Sequence, residues 1–118
     1  PIVLKRNVTP SDRPRYTGNL TVLTSDMTVS AGEIFVMGLR ALSQTTHAGE
    51  ATRGALSDVL EKELPNGWII ELSNEVYRDH AGVLWEGRGI KPERALQGFQ
   101  GAYRLQKHAA VIMSLIEG

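Results

Sequence analysis

The chain has 118 residues, 42% of them hydrophobic, and its 13 basic and 13 acidic residues cancel. That length holds one domain at most, and the balanced charge supplies no field that would gather nucleic acid or an anionic membrane. The lack of cysteine excludes disulfides, a thiolate metal site and a cysteine nucleophile, and no apolar run approaches a membrane span.

In chain order, Pro1-Ile-Val-Leu4 reads as the end of a strand and carries no initiating methionine, so we expect a piece of a longer protein and an incomplete domain. Residues 5–19 are broken by Pro10, Pro14 and Gly18 and predict a loop. Leu20, Val22 and Leu23 form a short apolar run with β-branched content, which predicts a buried strand closed by Thr24-Ser25-Asp26. From Ile34, positions 34, 35, 38, 39 and 42 recur at helical spacing. Thr45–His47 predicts a second strand, and strand, helix, strand implies a βαβ crossover on a parallel sheet. The fold class is therefore α/β.

Beyond Gly54 the pattern turns to β. Leu56–Leu64 and Trp68–Leu72 flank the tight-turn signal Pro65-Asn66-Gly67 and predict a hairpin. Glu75–Arg78 and Val83–Trp85 flank Asp79-His80-Ala81-Gly82 and predict a second one. Gly87, Gly89 and Pro92 end regular structure, and Ala102, Leu105, Ala109, Ile112 and Ile116 predict a C-terminal helix.

Ser30 stands where the first turn becomes the helix. Ser30-Ala-Gly-Glu33 fits a capping box, in which the serine oxygen takes the amide of Glu33 and Glu33 reaches back to the Ser30 amide. The small pair Ala31-Gly32 also leaves room for a substrate against the helix N-terminus, where free amides can stabilise an oxyanion. Both readings stand on spacing alone. His47, His80 and His108 show no metal-pair spacing, although a hydroxyl nucleophile needs such a base. Glu86, beside glycines, reads by itself as a solvated carboxylate.

Three blocks then add a resemblance: Thr28-Val-Ser30-Ala31-Gly32-Glu33-Ile34-Phe35, His47-Ala-Gly49-Glu50-Ala-Thr52-Arg-Gly54, and Trp85-Glu86-Gly87-Arg-Gly89-Ile-Lys-Pro92. Their order and content are similar to those of the tail-specific, or C-terminal processing, serine proteases and the related tricorn core. The resemblance implies a crotonase/ClpP-like domain of which residues 1–118 are the C-terminal portion. It implies Ser30 as nucleophile, Glu86 as the glutamate of a Ser-His-Ser-Glu tetrad, the Ala31 amide as an oxyanion donor, and Gly32, Glu33, Gly49, Glu50 and Gly54 as residues that shape the site. The processing branch pairs its serine with a lysine at a place held here by Ala55, so a Ser–Lys dyad is absent and the base belongs to an upstream histidine.

The implied reaction is peptide hydrolysis through an acyl-enzyme, with no cofactor or metal. Its partners are an extended peptide or protein substrate and the remainder of the chain's own protease domain, with a homo-oligomer and an extracytoplasmic setting as further implications. Ala31 replaces the acidic residue with which the tricorn-like branch favours basic side chains, so small or apolar residues are expected at the cleavage point. The 118-residue piece alone is expected to be inactive. A ligand-binding module of the same fold, similar to the retinoid-binding relatives, is the alternative. A crotonase-type acyl-CoA enzyme is disfavoured by the missing Gly-Gly oxyanion signature.

Overall fold

A computed structural model of the chain describes residues 3–5, 9, 11–96 and 113. Its centre is a βαβ unit. Leu20–Thr24 (β1) leads through a turn into the helix Ala31–Arg40 (α1), and Thr45–Gly49 (β2) returns parallel to β1 with Leu20 opposite Thr45 and Thr24 opposite Gly49. An antiparallel hairpin of Val59–Glu63 (β3) and Ile69–Ser73 (β4) follows, closed by the turn at Asn66-Gly67. Arg94–Ala95 (β5) then adds to β2, again in parallel, so the sheet order is β1-β2-β5.

The expected α/β class, parallel sheet and Pro65–Gly67 hairpin are present. The second expected hairpin shrinks to a single bridge between Arg78 and Leu84, because Asp79 Oδ1 takes the amides of Ala81 and Val83 and closes the loop on itself. The strand expected from Leu56 begins only at Val59. Leu56 and Ser57 give their amides to the Glu86 carboxylate instead of to a neighbouring strand. Val3–Lys5 form no strand, and the C-terminal helix expected over residues 102–116 lies outside the described residues. Strand β5 falls where regular structure was expected to have ended; two residues are too few to carry a periodic signal.

The helix expected after Ser30 is present as α1. Its buried residues are Glu33, Val36 and Met37, whereas Ile34, Phe35 and Leu42 are 36%, 64% and 42% exposed. In this 118-residue chain the side carrying Ile34 and Phe35 is exposed, while the apolar Val36 and Met37 share the inward side with Glu33. Val36 and Met37 meet Leu56 and Ile90 to form the core, with Val22, Tyr77 and Trp85 packed against it. Strands β3 and β4 are exposed along their whole length. No helix among the described residues is long and apolar enough to cross a membrane.

Two glycines let the segments after β2 and before β5 press backbone to backbone. Gly54 has φ +81°, and a Cβ there would stand 2.5 Å from the Gly89 nitrogen. Gly89 has φ +71°, and its Cβ would overlap the Thr52 carbonyl oxygen. Gly67 shares the left-handed backbone, at φ +80°, but faces open space. Gly67→Ala should therefore cost about 1–2 kcal/mol of left-handed strain, and Gly89→Ala clearly more, because the backbone ladder to Thr52 must part. Denaturant midpoints of the two variants check this ordering; equal losses would contradict it.

Candidate active site

The turn before α1 places Ser30 in an unusual backbone state. Its φ is 51° and its ψ −122°, and it is the one described non-glycine residue with positive φ. Gly32 N–H donates to the Val29 carbonyl at 3.0 Å, so Val29–Gly32 form a type II′ turn with Ser30 at the position that glycine normally takes. Such strain costs on the order of 1–3 kcal/mol and persists only where the surroundings enforce it.

The enforcing group is Glu33, which is 0% exposed. Its Oε1 accepts the Thr52 hydroxyl at 2.5 Å and the Gly54 amide at 2.7 Å, while Oε2 accepts the amides of Ala55 at 2.8 Å and Ser30 at 3.2 Å. Every partner is a donor, the arrangement of an ionised carboxylate whose burial is offset by charge-assisted hydrogen bonds. Ser30 N–H also donates to the Ala55 carbonyl at 2.8 Å.

Ser30 and Glu33 thus stand as the two ends of a capping box, yet the serine hydroxyl makes no cap hydrogen bond. The Glu33 amide goes to the Ser30 carbonyl oxygen at 2.8 Å. Ser30 is exposed, and the Ala31 amide beside it has no acceptor among the described residues. The turn therefore presents a hydroxyl and an unspent N–H at the positive end of a ten-residue helix.

Glu86 lies on the same support. Its Oε2 accepts the amides of Leu56 and Ser57, each at 3.0 Å, so four consecutive amides, Gly54 to Ser57, run onto the two carboxylates of Glu33 and Glu86. Gly87 N–H closes the arrangement on the Gly54 carbonyl at 2.7 Å. The structure brings Ser30, Glu33, Gly54 and Glu86 onto one segment, with Ala55 between the two carboxylates. Gly32 lies in the first turn of the helix, and a Cβ there would meet Thr28 Cγ2 at 3.2 Å.

Gly49 and Glu50 end β2 at the same rim. A cleft of about 530 Å³ opens there, lined by Asp26, Glu50, Ala51, Thr52 and Arg53, at the carboxyl ends of parallel strands where α/β folds bind ligands. The Glu50 carbonyl accepts the Thr24 hydroxyl at 2.6 Å, and its Oε2 is buried with no hydrogen-bond partner among the described residues. Among those residues no group of three or more His, Cys, Asp or Glu could hold a metal ion.

Among the described residues no histidine hydrogen-bonds to Ser30. His80 is exposed in the Asp79–Gly82 loop, and His108 lies outside the described residues. His47 is wholly buried, 2.7 Å through Nε2 from the Thr24 hydroxyl. That hydroxyl donates to Glu50, so it accepts from His47 Nε2–H and leaves Nδ1 as a buried lone pair. Burial first, then the Arg40 guanidinium, push the His47 pKa from 6.5 to about 4 against the opposing pull of Glu93. Asp79 moves below the usual carboxylate range although desolvation opposes this, because the Val83 amide, the Trp85 indole, the Ala81 amide and His80 all favour its charge.

Residues 3–96 match Peptidase family S41. The chain belongs to that family. Among solved structures it is similar to a candidate peptidase from Parabacteroides merdae, at 32% identity and a TM-score of 0.73 over 92% of this chain and 36% of that one. It is also similar to the photosystem II D1 C-terminal processing protease, at 28% identity and a TM-score of 0.58 over 68% of this chain and 21% of that one. The tricorn protease shares the fold, at 18% identity and a TM-score of 0.65, over 96% of this chain and 12% of that one. The S41 chain described here therefore spans about a third or less of the length of these relatives.

Glu33 reaches the Ser30 amide as the capping-box spacing predicts, but that spacing does not mark the Thr52 hydroxyl as a further partner. A threonine two residues before a tight glycine, with a carboxylate in the preceding block, is the available signal. Two outcomes follow. Because the folded pKa of His47 lies below its unfolded value, the unfolded chain binds the extra proton. Its contribution to stability is complete above pH 6.5 and is lost as pH falls towards 4; the slope of unfolding free energy across that window should flatten in His47→Gln. Glu33→Gln, equal in size but with an amide facing donors, should cost at least about 1–3 kcal/mol in denaturant unfolding.

Proposed function

We propose that the chain is the C-terminal portion of a crotonase/ClpP-like catalytic domain that hydrolyses peptide bonds through an acyl-enzyme on Ser30. The single observation carrying this reading is the Ser30 turn. A serine kept at φ 51°, exposed, with an unspent amide next to it, is strained in the way nucleophile turns between strand and helix are. A serine that merely capped its helix would gain nothing from that conformation.

In the proposed reaction Ser30 Oγ attacks the substrate carbonyl carbon and passes its proton to a base outside the described residues, read as an upstream histidine. The Ala31 amide donates to the oxyanion; removing one such donor typically costs about 2.7–4 kcal/mol of transition-state stabilisation. The C–N bond then breaks, the base returns the proton to the leaving amine, and water releases the acyl group from Ser30. Glu86 is proposed as the tetrad carboxylate, orienting that base through a further hydroxyl rather than moving the proton itself. The Leu56 and Ser57 amides fix one of its oxygens, which supports an orienting role.

Gly32 and Gly49 are read as shaping the site, Gly49 by admitting the Thr24 carbonyl where a Cβ would overlap it, and Glu50 borders the cleft. The substrate is read as an extended peptide added to a strand edge, with small or apolar residues at the cleavage point because Ala31 follows the nucleophile. The remainder of the domain, supplying base and second oxyanion donor, is the other required partner, so the 118-residue piece by itself is expected to be inactive.

The test uses the natural full-length protein and a fluorophosphonate probe. Wild type is expected to label at Ser30, and Ser30→Gly to lose the label. The same variant should keep or gain up to about 2 kcal/mol of stability, since strain of 1–3 kcal/mol is relieved against a glycine entropy cost of up to about 1 kcal/mol. Absence of labelling in folded wild-type protein would favour the ligand-binding alternative.

A further inference from the structure

We propose that Thr52 is a positioning residue of this site, acting through Glu33 on the Ser30 turn; the proposal rests on the peptidase reading above. Thr52 is 5% exposed and sits where the segment after β2 crosses the segment before β5. Its hydroxyl accepts the Ile90 amide at 2.7 Å and lies 2.5 Å from Glu33 Oε1. The direction of this chain is forced. The Ile90 amide donates and the Glu33 carboxylate accepts, so the single hydroxyl hydrogen goes to Glu33, and the hydroxyl is an oriented link between the two segments. The Thr52 amide also donates to the Ile90 carbonyl, at 3.2 Å.

These contacts close a ring. It runs from the Ser30 amide to Glu33, through the Thr52 hydroxyl to Ile90, back along Gly89 to Glu86, and through the Leu56 amide to Ala55, whose carbonyl holds the Ser30 amide. The proposed nucleophile and the proposed tetrad carboxylate are fixed relative to one another by that ring. Thr52 supplies the hydroxyl that joins the Glu33 carboxylate to the Glu86–Ile90 stretch.

Removing the hydroxyl would leave the Ile90 amide buried without that acceptor and Glu33 with three of its four donors. The Ser30 amide, at 3.2 Å, is the longest of the four contacts, so a carboxylate free to turn releases it first. The core itself is built from the apolar side chains of Val36, Met37, Leu56 and Ile90, none of which the substitution removes. The expected consequence is a folded protein whose Ser30 turn is displaced, and a displacement of about 1 Å can lower a rate by about a hundredfold.

The experiment compares Thr52→Val, Thr52→Ser and wild type in the natural full-length protein, reading kcat and KM on a peptide substrate and the rate of fluorophosphonate labelling at Ser30. For Thr52→Val we expect kcat and labelling rate to fall about 10–100-fold, with KM within about threefold of wild type. Thr52→Ser, which keeps the hydroxyl, should restore both to within about threefold of wild type. A kcat for Thr52→Val within threefold of wild type overturns the proposal. So does an equal loss in Thr52→Ser, or a loss that tracks only the folded fraction measured by circular dichroism. If Thr52→Val does not fold, Thr52→Cys, which keeps a weaker donor, replaces it: an intermediate kcat with unchanged KM supports the proposal, and wild-type kcat overturns it. Wild-type protein that does not label at Ser30 overturns both this proposal and the peptidase reading, whereas labelling that is indifferent to Thr52 overturns this one alone.

Discussion

A single buried carboxylate organises this structure. Glu33 sits in the first turn of α1 with no solvent exposure and four hydrogen-bond donors aimed at it. A buried charge of this kind is tolerable only when its lone pairs are filled, and filling them dictates where the chain goes next. The donors come from Ser30, Thr52, Gly54 and Ala55, so the loop after β2 is drawn over the start of the helix. Once that loop is placed, its next two amides lie against Glu86, and Leu56 turns inward to the core.

The same carboxylate lies on the inward side of the helix. A hydrophobic stripe ordinarily decides which side of a surface helix faces inward. Here Val36 and Met37 lie inward with the Glu33 carboxylate, and Phe35 lies outside. The inward side thus combines a carboxylate with four donors and the apolar pair Val36 and Met37. The carboxylate also supports the strained Ser30 backbone, because the Ser30 amide is held by both Glu33 and the Ala55 carbonyl.

The sequence made some of this legible and concealed the rest, for physical reasons. The strand at Leu20, the turn at Asn66-Gly67 and the helix after Ser30 are written in local chemistry, and each forms close to its expected place. The Ser30-x-x-Glu33 spacing announced the capping box. It could not announce that Glu33 also recruits residues 52–55, since those contacts are long-range and any donor would read alike in sequence. The Arg78–Leu84 loop was concealed in the same way: an aspartate that accepts three donors looks, in sequence, like an ordinary turn residue. The two-residue β5 lies below the length at which periodicity exists. Position 55, by contrast, was legible as a departure from the lysine-bearing branch, and the structure seats Ala55 between the two carboxylates.

The β3–β4 ribbon has its own physical consequence. Leu60, Ile69, Ile70 and Leu72 are more than 40% exposed, Trp68 beside them is 71% exposed, and among the described residues the ribbon is a sheet of two strands. Apolar strands with unsatisfied outer edges are templates for pairing with other chains. Handled by itself, this polypeptide would be prone to stack ribbon upon ribbon into insoluble material, so its solubility depends on whatever shields that arm.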